Sequence, residues 1–414
     1  MTARPGAADD APPILTSTSG QKDLPRWFEA AYSVLRGLES GSIDIALPDG
    51  RVFRVSGGVP GPAARIDIRD PRLFARIARE GELGFCEAYL DGWWDSPDLQ
   101  TFLDVLLTST QWVNRSFPGA RALRLWHQFN HWLNRNTRRQ ARRNIAAHYD
   151  LGNAFYSRWL DETMTYSSAR FTRAGMALDA AQREKYAALA RLMDLRSGQS
   201  VLEIGCGWGG FAEFAAKEIG ARVTAVTISR EQFDFARQRM FNAGLAERAD
   251  IQLIDYRDVE GRFDRVASIE MFEAVGQEYW PAYFSKIRDV LEPGGRAGLQ
   301  IITIEDALFD DYNRRTDFIQ KYIFPGGMLP SEERLKPVID RAGLTWREVE
   351  RFGQDYADTL KLWDERFQSA WGDIRRMGGF DERFRRLWRF YLAYCEAGFR
   401  SARTDVIQLA LTRP

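Results

Sequence analysis

The stretch Val201-Leu-Glu-Ile-Gly-Cys-Gly-Trp-Gly-Gly-Phe211 decides the fold. Val201, Leu202 and Ile204 flank a single acid, Glu203, and a run of glycines follows. An apolar segment then runs from Phe211 to Ala216. That order spells a buried strand, a tight turn and the start of a helix. Glycines let the backbone turn sharply and approach a ligand closely, because no Cβ intervenes. A turn of this kind at the carboxyl end of a strand is a nucleotide site.

Downstream, strands and helices alternate. Arg222 to Thr227 reads as the second strand, Glu231 to Ala243 as the next helix, and Ile251 to Ile254 as the third strand. Phe263 to Ile269 is the fourth strand and ends in Glu270-Met-Phe-Glu273. Trp280 to Leu291 reads as helix, and Gly295 to Ile304 as the fifth strand after a Pro293-Gly294-Gly295 turn. Two late strands, Thr345 to Phe352 and Asp405 to Leu411, bracket a long aromatic-rich helical stretch. The alternation predicts an α/β fold, a mostly parallel sheet of seven strands with helices on both faces. Glu305 to Pro330 interrupts it at the carboxyl end of the sheet, where ligands bind.

The chain of 414 residues implies about two domains. Basic and acidic side chains balance at 57 each, so no global field points to nucleic acid. The three cysteines are widely spaced, and the three histidines all lie between His127 and His148; neither a disulfide framework, a structural zinc site nor a His-rich metal centre is expected. No apolar run reaches the roughly 18 residues of a membrane span. The chain reads as cytosolic.

Four stretches follow: a disordered leader at 1–24, a small α+β domain at 25–112, a basic amphipathic helix at 113–147, and the catalytic domain at 148–414. In the small domain, Pro25 to Leu38 reads as helix. Ile43 to Leu47 and Val52 to Val55 form a hairpin around Pro48-Asp49-Gly50. Ala64 to Ile68 is a third strand, Pro71 to Arg79 is helical, Gly81 to Asp95 is irregular, and Leu99 to Thr108 is an apolar helix. Arg121 to Arg143 holds seven arginines and no acid, with Leu125, Phe129, Trp132 and Leu133 on one helical face. Such a helix can lie on an anionic membrane or dock on its own protein with solvated arginines. A nucleic-acid patch is a third reading that nothing else in the chain supports.

The opening stretch carries no GKS or GKT and is not an ATPase phosphate loop. Gly205, Gly207 and Gly210 fit the bare spacing of the dinucleotide fingerprint, a weak match alone. The Glu-Ile-Gly-Cys-Gly-x-Gly form is more specifically the signature of Rossmann-like class I methyltransferases that use S-adenosylmethionine (SAM). In those, Glu203, Gly205, Gly207 and Gly209 take the methionine end of the cofactor. Thr227 and Gln232 are placed for the ribose, and Tyr256 and Arg257 for the adenine.

Beyond this turn, the chain resembles the cyclopropane fatty acid synthases and their relatives, the mycolic acid cyclopropane synthases and methyl-branching lipid methyltransferases. The resemblance runs from about residue 40 to the end. It rests on Glu82-Leu-Gly-x-x-Glu-Ala-Tyr-x-Asp-Gly92, His148-Tyr-Asp-Leu-Gly-Asn153, Met164-Thr-Tyr-Ser167, the glycine turn, Phe272-Glu273, Tyr322-Ile-Phe-Pro-Gly-Gly327 and Cys395-x-x-Gly-Phe-Arg400. It implies methyl transfer from SAM to the cis double bond of an unsaturated phospholipid acyl chain, giving a cyclopropane. It also implies a bound bicarbonate ion as the base, held by a glutamate, a histidine, a tyrosine and nearby backbone. Glu273 matches the glutamate, Tyr356 the tyrosine and Ile302 a backbone donor. The histidine position is Gln300. Ser168 stands where a cysteine is common, and Ala274 where a histidine is common. Gln and Ser can hydrogen-bond an anion but cannot carry the charge of His. Ring closure is therefore open against a methyl-branched, unsaturated product.

Cys395 matches a family cysteine and reads as pocket wall, because the chemistry needs no thiolate. Tyr166 and Ser167 match residues that touch the cofactor from a segment, Met164 to Ser168, that covers it. The resemblance gives the basic helix a membrane role, placing the protein at the inner face of a membrane from the cytoplasm. Oligomeric state stays open, with a homodimer through the small domain as one arrangement. The rival readings are a small-molecule N-methyltransferase and a lipid-binding protein without catalysis.

Overall fold

The computed structural model describes residues 13–108 and 151–414. The basic amphipathic stretch and all three histidines lie outside those residues. The chain divides into two compact units: Met1–Leu123 with Glu382–Phe390, and Arg124–Asp381 with Tyr391–Pro414.

The first unit carries a five-stranded sheet in the order β1-β3-β2-β4-β5. The strands are β1 (Ile14–Leu15), β2 (Ser40–Ala46), β3 (Val52–Ser56), β4 (Val59–Ile68) and β5 (Trp94–Asp95). In β2, Ile43 and Ile45 are buried while Asp44 and Ala46 are half-buried, the alternation that a one-sided core dictates. The predicted hairpin forms, with Ile43 opposite Val55 and Ile45 opposite Phe53. Phe28, on helix Phe28–Leu35, packs edge-on against Phe53 at 4.9 Å.

Two expectations fail here. The leader is not all disordered: Ile14 and Leu15 pair in parallel with Val52 and Phe53, and Arg51 donates to the carbonyl of Lys22 at 2.9 Å. An apolar pair inside a polar leader was enough to complete the sheet edge. The second failure is at Gly81–Asp95. Helix Arg72–Leu90 runs through Gly81, whose φ of 63° kinks it. Leu83, Cys86, Tyr89 and Leu90 are buried along the second arm, so burial overrides the glycine signal. Arg386 caps this region. Its guanidinium stands 3.9 Å from the Tyr89 ring centroid and donates to the carbonyls of Tyr89 (2.6 Å) and Trp94 (2.8 Å).

The second unit is built on a seven-stranded sheet, ordered β8-β7-β6-β9-β10-β12-β11 from one edge to the other. The strands are β6 (Ser200–Ile204), β7 (Arg222–Thr227), β8 (Ala249–Leu253), β9 (Phe263–Ile269), β10 (Leu291–Ile304), β11 (Thr345–Arg351) and β12 (Thr404–Thr412). Only β12 runs antiparallel to its neighbours. The mostly parallel α/β architecture is therefore as expected. Strand β10 begins earlier than read: a register shift between Leu291 and Arg296 absorbs Pro293-Gly294-Gly295 as an irregularity within the strand.

Successive residues of β6 feed opposite faces. Val201 joins Leu189, Met193, Phe211 and Val223 on one side. Leu202 joins Tyr283, Phe284, Ile287, Val266 and Leu299 on the other. Both faces are covered, which is why adjacent positions of the strand, Val201 and Leu202, are both apolar. Strand order reverses between β6 and β9, and the crevice at their carboxyl ends is where a fold of this kind binds its ligand. Among the described residues, no helix is long and apolar enough to cross a membrane.

Candidate active site

Two segments leave the sheet at that reversal. The glycine turn follows β6, and Glu270-Met271-Phe272-Glu273 follows β9. They meet tightly, since a Cβ on Gly205 would lie 2.5 Å from Cγ of Met271. The turn itself needs glycine: φ is 81° at Gly205, 52° at Gly207 and 82° at Gly209, a region side chains disfavour.

Glu203 is buried beside the turn, and Oε2 has no hydrogen-bond partner among the described residues. Burial pushes its carboxyl up to about 8, against the opposing charges of Arg239 and Lys185. An orphaned buried acceptor at a glycine turn fits the ammonium group at the methionine end of SAM. Thr227, the last residue of β7, donates to Oε1 of Gln232 at 3.0 Å. Tyr256 and Arg257 begin a short turn just beyond β8. The Arg257 guanidinium is forked onto Asp255 at 2.8 and 2.6 Å. These four thus line successive strand ends on the β7–β8 side of the turn.

The covering segment is fastened at several points. Arg239 donates to the carbonyls of Thr163 (2.6 Å) and Trp208 (3.4 Å), joining segment and turn. Trp208 donates to Oδ1 of Asn153 at 2.7 Å. The Ser167 hydroxyl faces Lys185, whose Nζ donates to it at 2.6 Å. The Tyr166 hydroxyl lies 2.7 Å from that of Tyr391. Both hydroxyls thus have protein partners within this unit.

Around the end of β9 a polar cluster forms that the sequence did not announce. Oε1 of Glu270 accepts from the Ser168 N–H at 2.8 Å and from Nε2 of Gln300 at 2.7 Å. Oε2 accepts from the Tyr356 hydroxyl at 2.7 Å. Gln300 is held in turn by Gln408, which donates to its Oε1 at 3.0 Å. Burial raises the Glu270 carboxyl, while the Lys185 charge and those three donors oppose the rise. Lys185 is itself fully enclosed, and burial lowers it to about 7. Glu273 lies alongside: Oε1 accepts from the Ile302 N–H at 2.5 Å, and Oε2 has no partner among the described residues. Burial, then the Glu270 charge, push Glu273 up to about 8.

Aromatic rings adjoin the cluster. Tyr356 stacks on Phe399 at 4.5 Å and meets Trp363 edge-on at 6.1 Å. Trp363 faces Tyr166 at 5.3 Å, and Tyr166 contacts Trp159 at 5.6 Å. Cys395 is half-buried, and burial pushes its thiol well above the ordinary range. It is no thiolate.

Glu273, Gln300, Ile302, Tyr356 and Ser168 are therefore brought together around the end of β9. Their bonding is not as read. The donors expected to cradle a bicarbonate, on Gln300 and Tyr356, are taken by Glu270, and the Ile302 N–H is taken by Glu273. The residues present do not fit a bicarbonate ion. Glu270 and Lys185 were both missed. Glu270 had a signal in the paired acids at the strand end. Lys185 had one in its place on the face of helix Leu178–Leu192 that also buries Leu178, Ala181, Gln182, Ala188, Leu189 and Leu192.

Comparison with known proteins agrees with this architecture. A family model described as mycolic acid cyclopropane synthetase matches residues 136–409. The chain is 43% identical over 364 residues to the tuberculostearic acid methyltransferase of Mycobacterium tuberculosis, with 84% of each covered. It is 32% identical over 396 residues to the cyclopropane-fatty-acyl-phospholipid synthase of Escherichia coli, covering 89% of this chain and 96% of the other. A mycolic acid cyclopropane synthase solved with SAH and CTAB matches at 30% identity and a TM-score of 0.62, over 66% of this chain and 98% of that one. A cyclopropane synthase of Mycobacterium tuberculosis matches at 30% identity and a TM-score of 0.61, with the same coverage.

Proposed function

The chain belongs to the mycolic acid cyclopropane synthetase family of SAM-dependent methyltransferases, and from that premise we propose that it methylates the cis double bond of an unsaturated phospholipid acyl chain. The observation that carries this is the pairing of a buried carboxylate cluster with an aromatic wall at the crevice of the sheet. An alkene is a weak nucleophile and leaves a carbocation when it takes a methyl group. Aromatic faces stabilise a cation without trapping it, and a buried base removes the surplus proton. A small amine acceptor requires neither.

The bound cofactor supplies an electrophilic methyl carbon. Glu203 and the turn at Gly205, Gly207 and Gly209 hold its amino-acid end, Thr227 and Gln232 its ribose, and Tyr256 and Arg257 its adenine side. Tyr166 and Ser167 belong to the segment that closes the site. Tyr356, Trp363 and Phe399 exclude water around the acyl chain. Substrate reaches the site from a membrane surface, on which the arginine-rich stretch 121–143 rests.

The fate of the cation sets the product. Loss of a proton from the new methyl group closes a cyclopropane; loss of a different proton leaves a methyl-branched alkene. Gln300, hydrogen-bonded to Glu270 where the family resemblance calls for a histidine, favours the second. So does the higher identity to a relative named as a methyltransferase and not as a cyclopropane synthase. Expression in a host without cyclopropane lipids, followed by analysis of its fatty acid methyl esters, tests the reading. A gain of one CH₂ is expected, and NMR separates ring from branch. No gain on any monounsaturated chain sinks it.

A further inference from the structure

We propose that the Glu270 carboxylate is the resident base of this enzyme, standing in the cradle where its relatives' resemblance calls for a bicarbonate ion. The inference rests on the methyl-transfer reading above and adds to it the group that accepts the proton.

Three directional donors converge on this one side chain: the Ser168 N–H, Gln300 Nε2 and the Tyr356 hydroxyl. They come from the covering segment, from β10 and from helix Gly353–Arg376. Such convergence from separate elements is how a protein builds an anion site. Here the anion is covalently attached. Its attachment is strained, since Glu270 holds φ at 47°. Side chains disfavour that region, and such outliers cluster at functional positions. The backbone is held there by the bond from the Glu270 N–H to the Gln300 carbonyl at 2.8 Å.

Two acids sit side by side, and their surroundings separate them. Glu270 has Lys185 and three donors to favour its ionised form. Glu273 is raised by burial and by the adverse charge of Glu270, with only backbone N–H groups, of Ile302 and of Glu273 itself, to oppose them. Neighbouring carboxyls driven apart in this way take different roles. Glu270, with the Lys185 charge and three donors opposing the rise that burial causes, is the one placed to receive the proton; Glu273 lacks that support.

The step balances. The π pair of the acyl chain forms the new bond to the methyl carbon as the carbon–sulfur pair returns to sulfur. The carbocation then gives one proton to Glu270. The released C–H pair closes the ring or forms a new double bond, and Glu270 becomes a neutral acid that returns the proton to solvent.

The test uses the full-length enzyme with SAM and vesicles of cis-monounsaturated phospholipid, in buffer stripped of carbon dioxide or supplemented with bicarbonate. Three proteins are compared: wild type, Glu270→Gln and Glu270→Gly. SAM binding by calorimetry confirms that each is folded. Wild type is expected to turn over equally with and without bicarbonate. Glu270→Gln is expected to lose about a hundredfold or more, the usual size of general-base removal. Glu270→Gly, which opens the cradle, is expected to regain activity when bicarbonate or formate is added. A structural carboxylate would give no such rescue. A wild type that needs bicarbonate, a Glu270→Gln variant within about threefold of wild type, or a SAM-binding Glu270→Gly variant that neither anion revives overturns the proposal. A wild type that methylates no lipid overturns the substrate reading first, and the proposal with it.

Discussion

Tyr356 donates its hydroxyl to Oε2 of Glu270 at 2.7 Å, joining helix Gly353–Arg376 to the end of strand β9 across 86 positions of sequence. Tyr356 also stacks on Phe399. One ring thus spans the polar cluster and the aromatic wall. Replacing it by Phe keeps the wall and removes one hydrogen bond to a charged group, worth about 1.5–3 kcal/mol. Tyr356→Phe is expected to slow methyl transfer by about tenfold to a hundredfold with SAM affinity unchanged. Turnover on vesicles and calorimetry with SAM check both halves.

Glu203 presents an acceptor with no partner among the described residues. If an ammonium group completes it, Glu203→Gln weakens SAM by about tenfold or more, the worth of one charge-assisted bond. Binding to wild type near neutral pH also releases a proton, because the carboxyl held near 8 without ligand ionises against the new charge. Calorimetry in buffers of different ionisation enthalpy reads that proton. Equal affinity for the variant removes Glu203 from the pocket.

Glu273 gives a stability signature. Its carboxyl is raised from 4.5 to about 8 in the folded protein. A raised acid contributes stability that is complete below the unfolded value and is lost as pH rises through the folded one. Glu273→Gln mimics the protonated form and lacks this loss. The Tm of the variant relative to wild type is therefore expected to rise between pH 5 and pH 8, roughly the window between the two values. A constant difference would show that Glu273 is ionised throughout.

Cys395 is expected to be dispensable for chemistry. Its thiol is pushed well above the ordinary range by burial, so it offers no nucleophile at neutral pH. Cys395→Ala is expected to keep activity within a few-fold, the loss reflecting packing alone. Abolished turnover with intact SAM binding would contradict the assignment.

Stretch 121–143 is expected to bind anionic vesicles. Arginines near such a surface contribute about 1 kcal/mol each. Reversing three of its seven arginines to Glu is expected to abolish flotation with anionic vesicles and leave SAM binding intact. Equal flotation of both proteins excludes this surface.

Period and turn chemistry made most of the catalytic unit legible. Strands β7 and β9 run over Arg222–Thr227 and Phe263–Ile269 as read, because both faces of a parallel strand are buried and turns bound them. The second arm of helix Arg72–Leu90 was illegible, since a glycine with positive φ looks like a stop until buried Cys86 and Tyr89 show what holds it. Site residues carried by motifs, such as Glu203 and Glu273, could be named from the chain. Glu270 was passed over, although it stands three residues before Glu273 at the same strand end. Its importance lies in who approaches it: Ser168, Gln300 and Tyr356 arrive from three distant parts of the chain. Partners of that kind leave no periodic trace.

The contact between Gly205 and Met271 has a bearing on how this enzyme can be redesigned. With so little space between the glycine turn and the Glu270–Glu273 segment, the two are one interlocking piece. Transplanting the Glu270–Glu273 segment alone into a relative would wedge Met271 against a foreign turn. A chimera meant to change the product has to exchange both loops, and Gln300 with them, as a single cassette.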